Sequence, residues 1–236
     1  MTSEMQPILK QLQLSKIKLS KVKPASQSHK DGIGLPLYYT ARIDNMNLVI
    51  ALAGVGDNAR GATSRLLDLM PFSHVMVVGV AGGIDPILQI GDVVIPKIVT
   101  DLDTEITYNP TLQTEKINSG ILATASTILE DEHRLARLRA NGITAIDMET
   151  SIIARVCSDK GVPWSVFRGI SDLLPGGPIT NEIVKLVHPN GKTNLKAVSK
   201  YLLKHPTQVK VLAKLGKDSA HAASSAARAS LEVLGT

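Results

Sequence analysis

Leu48-Val49-Ile50-Ala51-Leu52 and Val75-Met76-Val77-Val78-Gly79-Val80 are continuous apolar runs without alternation, the pattern of strands covered on both faces. Between them, Asp57 or Asn58 is placed to cap a helix whose Ala62, Leu66, Leu67 and Met70 recur near helical spacing, and Pro71 closes it. Strand, helix, strand predicts a crossover unit and parallel pairing of the two runs. Val93 to Val99 is a further strand whose interior Pro96 removes a ladder donor and predicts an edge, bulge or bend. Residues 100–119 read as polar loop.

Downstream, Ile121 to Arg139 begins strand-like and ends in a helix, Glu130 to Arg139, that Asn141-Gly142 stops. After Ala145-Ile146-Asp147-Met148, Glu149 opens a helix with Ile152, Ile153, Val156 and Cys157 on one face, and Gly161-Val162-Pro163 terminates it. Val162 to Ile170 is the next strand, ending at Ser171-Asp172. Pro175-Gly176-Gly177-Pro178 reads as a flexible loop, and Lys196 to Leu234 as a helical series broken at His205-Pro206. The Ala-rich stretch from Ser219 to Ser230 has the propensity of a closing helix. These alternations predict an α/β fold, and the 236 residues at 44% hydrophobic content fit one domain spanning 1–236, with a basic helical segment from about 180 onward.

Composition narrows the function classes. One cysteine, Cys157, excludes an internal disulfide framework and a cysteine-based zinc cluster, and with an uncharged apolar leader missing from Met1-Thr2-Ser3-Glu4 the expected setting is the cytoplasm, with no membrane association. The net charge of +5 sits at the ends: residues 1–30 carry six lysines against Glu4, and residues 183–236 carry eight lysines and Arg228 against Asp218 and Glu232. Aromatic residues make up only 3% of the chain, too few to stack on bases among those lysines, so no nucleic-acid partner is expected and the basic ends read as solvated helix faces.

Three short segments carry candidate chemistry. Gly79-Val80-Ala81-Gly82-Gly83 follows a buried strand and ends in residues that tolerate close approach of a ligand or a tight turn, but it has neither the G-x-G-x-x-G spacing nor a P-loop lysine. Asp147-Met148-Glu149 stands where a strand gives way to a helix. Its letters suit a surface Asp, a core Met and a first-turn Glu favoured by the helix dipole, and they equally suit a carboxylate that accepts sugar hydroxyls beside an adaptable apolar contact. Ser171-Asp172 lies at the carboxyl end of a strand, the edge where open α/β sheets bind ligands; Asp172 is either a cap for the next segment or, if partly buried, a general acid with a raised pKa.

Taken together, Tyr39-Thr40, Gly54-Val55-Gly56, Gly79-Val80-Ala81-Gly82-Gly83, Ile90-Gly91-Asp92-Val93-Val94, Asp147-Met148-Glu149, and Val162-Pro163 running to Arg168-Gly169-Ile170-Ser171-Asp172 resemble the nucleoside phosphorylase family, closest to its 5′-methylthioadenosine/S-adenosylhomocysteine nucleosidase branch. The resemblance implies a three-layer phosphorylase/hydrolase-like fold, a central mixed, largely parallel sheet between helices. It implies cleavage of the N-glycosidic bond of a purine nucleoside by water, releasing adenine, with phosphate-dependent cleavage or nucleoside binding without turnover as alternatives. Asp172 would protonate N7 of the purine with Ser171 orienting it, Met148 and Glu149 would hold the ribose, and Ala81-Gly82 would lie beside the sugar and the nucleophile. No metal or organic cofactor is implied, and a homodimer is.

The resemblance also assigns water activation to a glutamate near the amino terminus, for which Glu4 is the candidate. The family has a buried apolar strand just before that glutamate, where this sequence has three residues, so an unfilled slot is expected in the sheet. Family members often stack an aromatic side chain on the purine; in Thr124-Ala125-Ser126-Thr127-Ile128-Leu129 the nearest match is Ile128. The stretch from His188-Pro189-Asn190-Gly191 through Lys204-His205-Pro206 resembles tails of less-characterised relatives, hopanoid-associated phosphorylases among them.

Overall fold

The computed structural model describes residues 2–22, 38–112, 119–177, 181–184, 186 and 194–235. In chain order its elements are α1 (Thr2–Leu14), β1 (Leu19–Val22), β2 (Tyr38–Ile43), β3 (Met46–Ala51), α2 (Asp57–Leu69), β4 (Val75–Gly83), β5 (Val93–Val94), β6 (Ile98–Asp101), β7 (Thr107–Tyr108), β8 (Ile121–Thr124), α3 (Glu132–Ala140), β9 (Ile143–Asp147), α4 (Thr150–Asp159), β10 (Trp164–Leu173), α5 (Asn181–Val184), α6 (Leu195–Lys204) and α7 (Val209–Glu232), with a 3₁₀ turn at Pro206–Gln208. Seven strands form the central sheet in the order β5-β10-β4-β9-β8-β6-β7. Its long pairings, β10 with β4, β8 with β9 and β6 with β8, are parallel, whereas the antiparallel ones are two residues each. The sheet is therefore mixed and mostly parallel, and helices cover it, as expected of the α/β class.

Local chemistry explains most boundaries. The Asp131 carboxylate accepts the Arg134 N–H at 2.7 Å and opens α3, whose last turn carries Arg137 and Arg139 near the negative end of the helix dipole. Gly142, at φ 80°, takes the left-handed conformation that ends it. Gly56 caps α2 at φ 58°, so neither Asp57 nor Asn58 does so. Pro206 breaks the terminal helical series at the position the sequence indicates, because it cannot donate to the preceding turn.

Two expectations about the strands are corrected. β3 and β4 are not parallel neighbours: β3 pairs antiparallel with β2 in a separate three-stranded sheet, order β1-β2-β3. The cause is local, since Ile43 and Met46 are register partners across a two-residue Asp44-Asn45 turn in which Asp44 adopts φ 49°, and closing that hairpin costs far less chain entropy than a crossover. The apolar face of this small sheet is covered by α1 and α7, through Met5, Leu9, Leu12, Ala41, Ile50 and Leu231. The segment 100–119 likewise is not all loop, because β6 and β7 pair there through Val99↔Tyr108 and Thr100↔Thr107. The edge of β4 opposite β10 meets β9 only at Gly82 and Gly83, so Val75 to Ala81 has no strand partner there among the described residues.

The core lies between the central sheet and its helices, with Val77, Val94, Leu122, Ile153, Val166 and Ile170 buried in one cluster. α7 closes the opposite face. Ala222, Ala223, Ala226 and Ala227 are buried in the interface it presents to β10. The helix approaches so closely that a Cβ placed on Gly169 would stand 2.0 Å from the Ala222 carbonyl oxygen.

Candidate active site

The carboxyl ends of β4, β9 and β10 converge on one cavity of about 1820 Å3, and each of the predicted residues Ala81, Gly82, Ile128, Met148, Glu149, Ser171 and Asp172 lines it. Ala81 and Gly82 end β4, Met148 and Glu149 join β9 to α4, and Ser171 and Asp172 end β10. Ile128 comes from the segment after β8. The cavity extends between β3 and β4, where Ile50, Leu52, Val75 and Val77 line it, and α1 contributes Met5 and Ile8. Glu4 belongs to the first turn of α1. Its side chain lies outside the described residues, as do residues 188–191 and Pro178.

Asp172 is placed by a bulge. Along the β10–β4 ladder Ile170 pairs with Ala81 and Asp172 with Gly82, which leaves Ser171 as the extra residue. A bulge re-aims side chains at a sheet edge, and here Ser171 and Asp172 both line the cavity. Asp172 is 5% exposed. Burial pushes its carboxyl pKa upward, and the hydrogen bond that Ser171 Oγ donates to Oδ1 at 2.8 Å opposes that shift without cancelling it. Two glycines clear the ground around it: a Cβ on Gly82 would come within 3.5 Å of Asp172 Oδ2, and one on Gly177 within 3.2 Å.

Asp147 is not a surface residue. It is buried, and its carboxylate is held on all sides: Arg168 Nη2 stands 2.6 Å from Oδ2, Thr124 Oγ1 donates to Oδ1 at 2.7 Å, and Thr150 Oγ1 donates to Oδ2. Arg168 in turn donates from Nε and Nη2 to Thr150 Oγ1 at 3.2 and 2.9 Å. Glu149 caps α4, and its Oε2 lies 3.6 Å from the same Arg168 Nη2. Its side chain keeps 18% of its surface exposed, against 1% for Asp147, so Glu149 is the carboxylate of the pair that a ligand can reach.

Sequence reasoning did not give Thr124, Thr150 or Gly177 a part, and gave Arg168 no role. A signal existed for Arg168, since a guanidinium inside the otherwise apolar run Trp164 to Ile170 needs a buried counter-charge. The threonines had none, because a hydroxyl inside a strand or a first helical turn is unremarkable until its partner is known.

The cavity at the sheet edge is thus lined by a buried carboxyl group, Asp172, and by the ionic cluster of Asp147, Glu149 and Arg168, which puts a group able to hold a proton and a partly exposed carboxylate in one pocket. The sequence model of the Phosphorylase superfamily matches residues 4–114 and 109–204, and the chain belongs to that family. Among curated relatives, a 5′-methylthioadenosine/S-adenosylhomocysteine nucleosidase of Marinomonas sp. (strain MWYL1) is 28% identical over 167 residues, covering 58% of this chain and 72% of the relative. Its counterpart in Glaesserella parasuis serovar 5 (strain SH0165) is 29% identical over 165 residues, 57% of this chain and 72% of the relative. In fold, the chain is similar to the Helicobacter pylori nucleosidase of the same name crystallised with butyl-thio-DADMe-Immucillin-A, at TM-score 0.66 and 17% identity over 100% of this chain and 94% of the other. Among the described residues no helix is long and apolar enough to cross a membrane.

Proposed function

We propose that the chain hydrolyses the N-glycosidic bond of a purine nucleoside of the methylthioadenosine or S-adenosylhomocysteine type and releases adenine. The observation that carries this reading is Asp172: a carboxyl group buried at the edge of the sheet, with a raised pKa, lining the same cavity as Glu149. The names of the curated relatives point the same way.

In the proposed reaction the Asp172 proton passes to N7 of the base while the bond between C1′ and N9 breaks, its electron pair leaving with the base. Adenine departs neutral. The ribosyl group left behind has oxocarbenium character, and Asp147, Glu149 and Arg168 together give the pocket one net negative charge to set against it while Asp172 is protonated. Glu149 accepts the ribose hydroxyls, Met148 packs on the sugar, Ser171 holds Asp172, and Ala81-Gly82 leaves room beside C1′. Ile128 supplies an apolar contact to the purine in place of an aromatic stack. Water forms the new bond to C1′ and loses its proton to a base, the role proposed for Glu4. The reading includes a homodimer and a cytoplasmic setting, for which sedimentation and cell fractionation are the checks.

Purified protein incubated with methylthioadenosine and S-adenosylhomocysteine, with and without phosphate, tests the reading by chromatography of free adenine. Equal release under both conditions is expected. Strict dependence on phosphate would make the protein a phosphorylase, and no release under either would overturn the enzymatic reading.

A further inference from the structure

Residues 194–218 carry six lysines and one acid, Asp218, a surplus equal to the net charge of +5 on the whole chain. The two helices of this stretch sort their residues by face. In α6, Lys196, Lys200 and Lys204 recur at every fourth position and are exposed with Leu203, while Val198, on the other side of the helix, lines the large cavity. In the first half of α7, Lys210, Lys214 and Lys217 share an exposed face, and Leu212 and Leu215 line the same cavity from the opposite one. Because both helices turn apolar side chains to one cavity, both lysine faces look outward from it. The turn Pro206–Gln208 joins them and keeps them adjacent.

Lysines alone would describe a solvated face, as composition predicts. The aliphatic side chains set among them do not fit that picture. Leu203 is 85% exposed, more than any other large hydrophobic side chain among the described residues, and Val209 is 51% exposed. A single exposed leucine needs no explanation. Here, however, Leu203 stands between Lys200 and Lys204 and Val209 stands beside Lys210, which is the pattern of a helix that lies in a lipid interface. Lysine suits that setting, since its methylene stem can lie along an apolar layer while its ammonium stays at the polar level. Nucleic acid fits less well: Tyr201 is the one aromatic residue of the stretch, and its half-buried ring already lies against His205, with centroids 4.7 Å apart. A second copy of the same face would set lysines against lysines.

We propose that the outer faces of α6 and the first half of α7 dock on an anionic membrane surface, with Leu203 and Val209 entering the headgroup layer and the lysines meeting lipid phosphates. The attachment lies on the bilayer and does not cross it: α6 has ten residues, about half of what a span requires, and no described helix is long and apolar enough to cross. It departs from the expectation of no membrane association drawn from composition and leaves the cytoplasmic setting intact. It rests on no part of the nucleoside reading.

The test is co-sedimentation of the full chain with vesicles of phosphatidylcholine alone and of phosphatidylcholine mixed three to one with phosphatidylglycerol, at low and high salt. Binding to the mixed vesicles only, weakening as salt shortens the screening length, is expected. A lysine beside an anionic surface is worth about fivefold in binding, so Lys200→Gln, Lys204→Gln and Lys210→Gln together should weaken it about 100-fold. Leu203→Ser leaves every charge in place and should weaken it about tenfold through lost apolar contact. All four positions are exposed, so melting curves should match wild type. Leu203→Trp asks the same question by fluorescence, because its emission should shift to the blue on mixed vesicles against a background from Trp164, which is buried. No binding to mixed vesicles, equal binding to both kinds, or no blue shift would overturn the proposal. So would Leu203→Ser binding mixed vesicles as well as wild type does, since the face would then take any polyanion, duplex DNA included. Dissociation of a wild-type oligomer by Leu203→Ser, without vesicle binding, would give the face to a second copy and overturn it too. Adenine release enters none of these readouts, so their failure leaves the nucleoside reading standing.

Discussion

Replacing Asp172 with Asn separates the acid from the side chain that carries it. The substitution is nearly isosteric, and the amide oxygen can still accept the 2.8 Å hydrogen bond from Ser171 Oγ, so packing at a site 5% exposed is preserved. What disappears is a transferable proton. A positioned general acid is worth about 10²–10⁴ in rate, so kcat for adenine release should fall by that factor. The same change acts on stability with a sign that follows from burial. The carboxyl pKa is raised in the folded protein, so the native state binds the proton up to a higher pH than the unfolded chain does. Its stabilising share is complete below the unfolded pKa and is lost as pH rises through the folded one. Relative to wild type, Asp172→Asn should therefore gain stability as pH rises through that window and keep the gain at neutral pH, while losing turnover at every pH. Chromatographic adenine assays and melting curves across pH 4 to 9 measure both. A variant that turns over within about threefold of wild type would refute the acid role, since that is well below the loss expected of a general acid. One that is destabilised at neutral pH would refute the desolvation argument.

Three further changes test separate links. Glu149→Gln removes the charged acceptor proposed for the ribose hydroxyls, and since a hydrogen bond to a charged group contributes about 1.5–3 kcal/mol, KM should rise roughly 10- to 150-fold for the nucleoside and far less for its 2′-deoxy analogue; equal losses for the two would remove the clamp. Gly169→Ala puts a methyl 2.0 Å from a backbone oxygen of α7 that cannot rotate away; overpacking of this kind costs about 1–3 kcal/mol and should lower the melting temperature by about 2–12 °C, and an unchanged melting curve would mean α7 does not lie where it is described. Cys157 is buried and its thiol is pushed up to about 11, so Ellman's reagent should label it only on unfolding; rapid labelling of native protein at pH 8 would contradict that burial.

Legibility of the fold tracks how local its causes are. The α3 stop at Asn141-Gly142, the break at His205-Pro206 and the strand at Val75 are set by neighbours in sequence, and each is where the letters place it. The pairing of β3 escaped the reading because both candidates, a hairpin with β2 and a crossover to β4, are compatible with a continuous apolar run. The Asp44-Asn45 turn decides between them, yet its left-handed residue is an aspartate and not the glycine that would have announced it. Likewise the closeness of α7 to β10 depends on Gly169 meeting Ala222, 53 positions apart in the chain. Nothing local marks either residue as the other's partner.

At the site the same distinction separates what was read from what was missed. Ser171-Asp172 and Met148-Glu149 could be read because each pair sits where a strand ends, and strand ends are visible in sequence. Arg168, Asp147, Thr124 and Thr150 could not be assembled, since they come from β10, β9, β8 and α4 and only the sheet order brings them together. This has a functional consequence. Asp147 and Glu149 are two residues apart and both acidic, but burial splits their tasks: the first has every oxygen occupied by protein donors and serves as an anchor, while the second keeps part of its surface for a ligand. Swapping the acid for its amide at the two positions should therefore fail in different ways. Asp147→Asn takes from the buried guanidinium the carboxylate 2.6 Å away and loses stability by several kcal/mol, whereas Glu149→Gln leaves a folded protein that binds sugar poorly. Melting curves and nucleoside affinity measured on the pair check this, and equal destabilisation of both variants would show that the two carboxylates share one role.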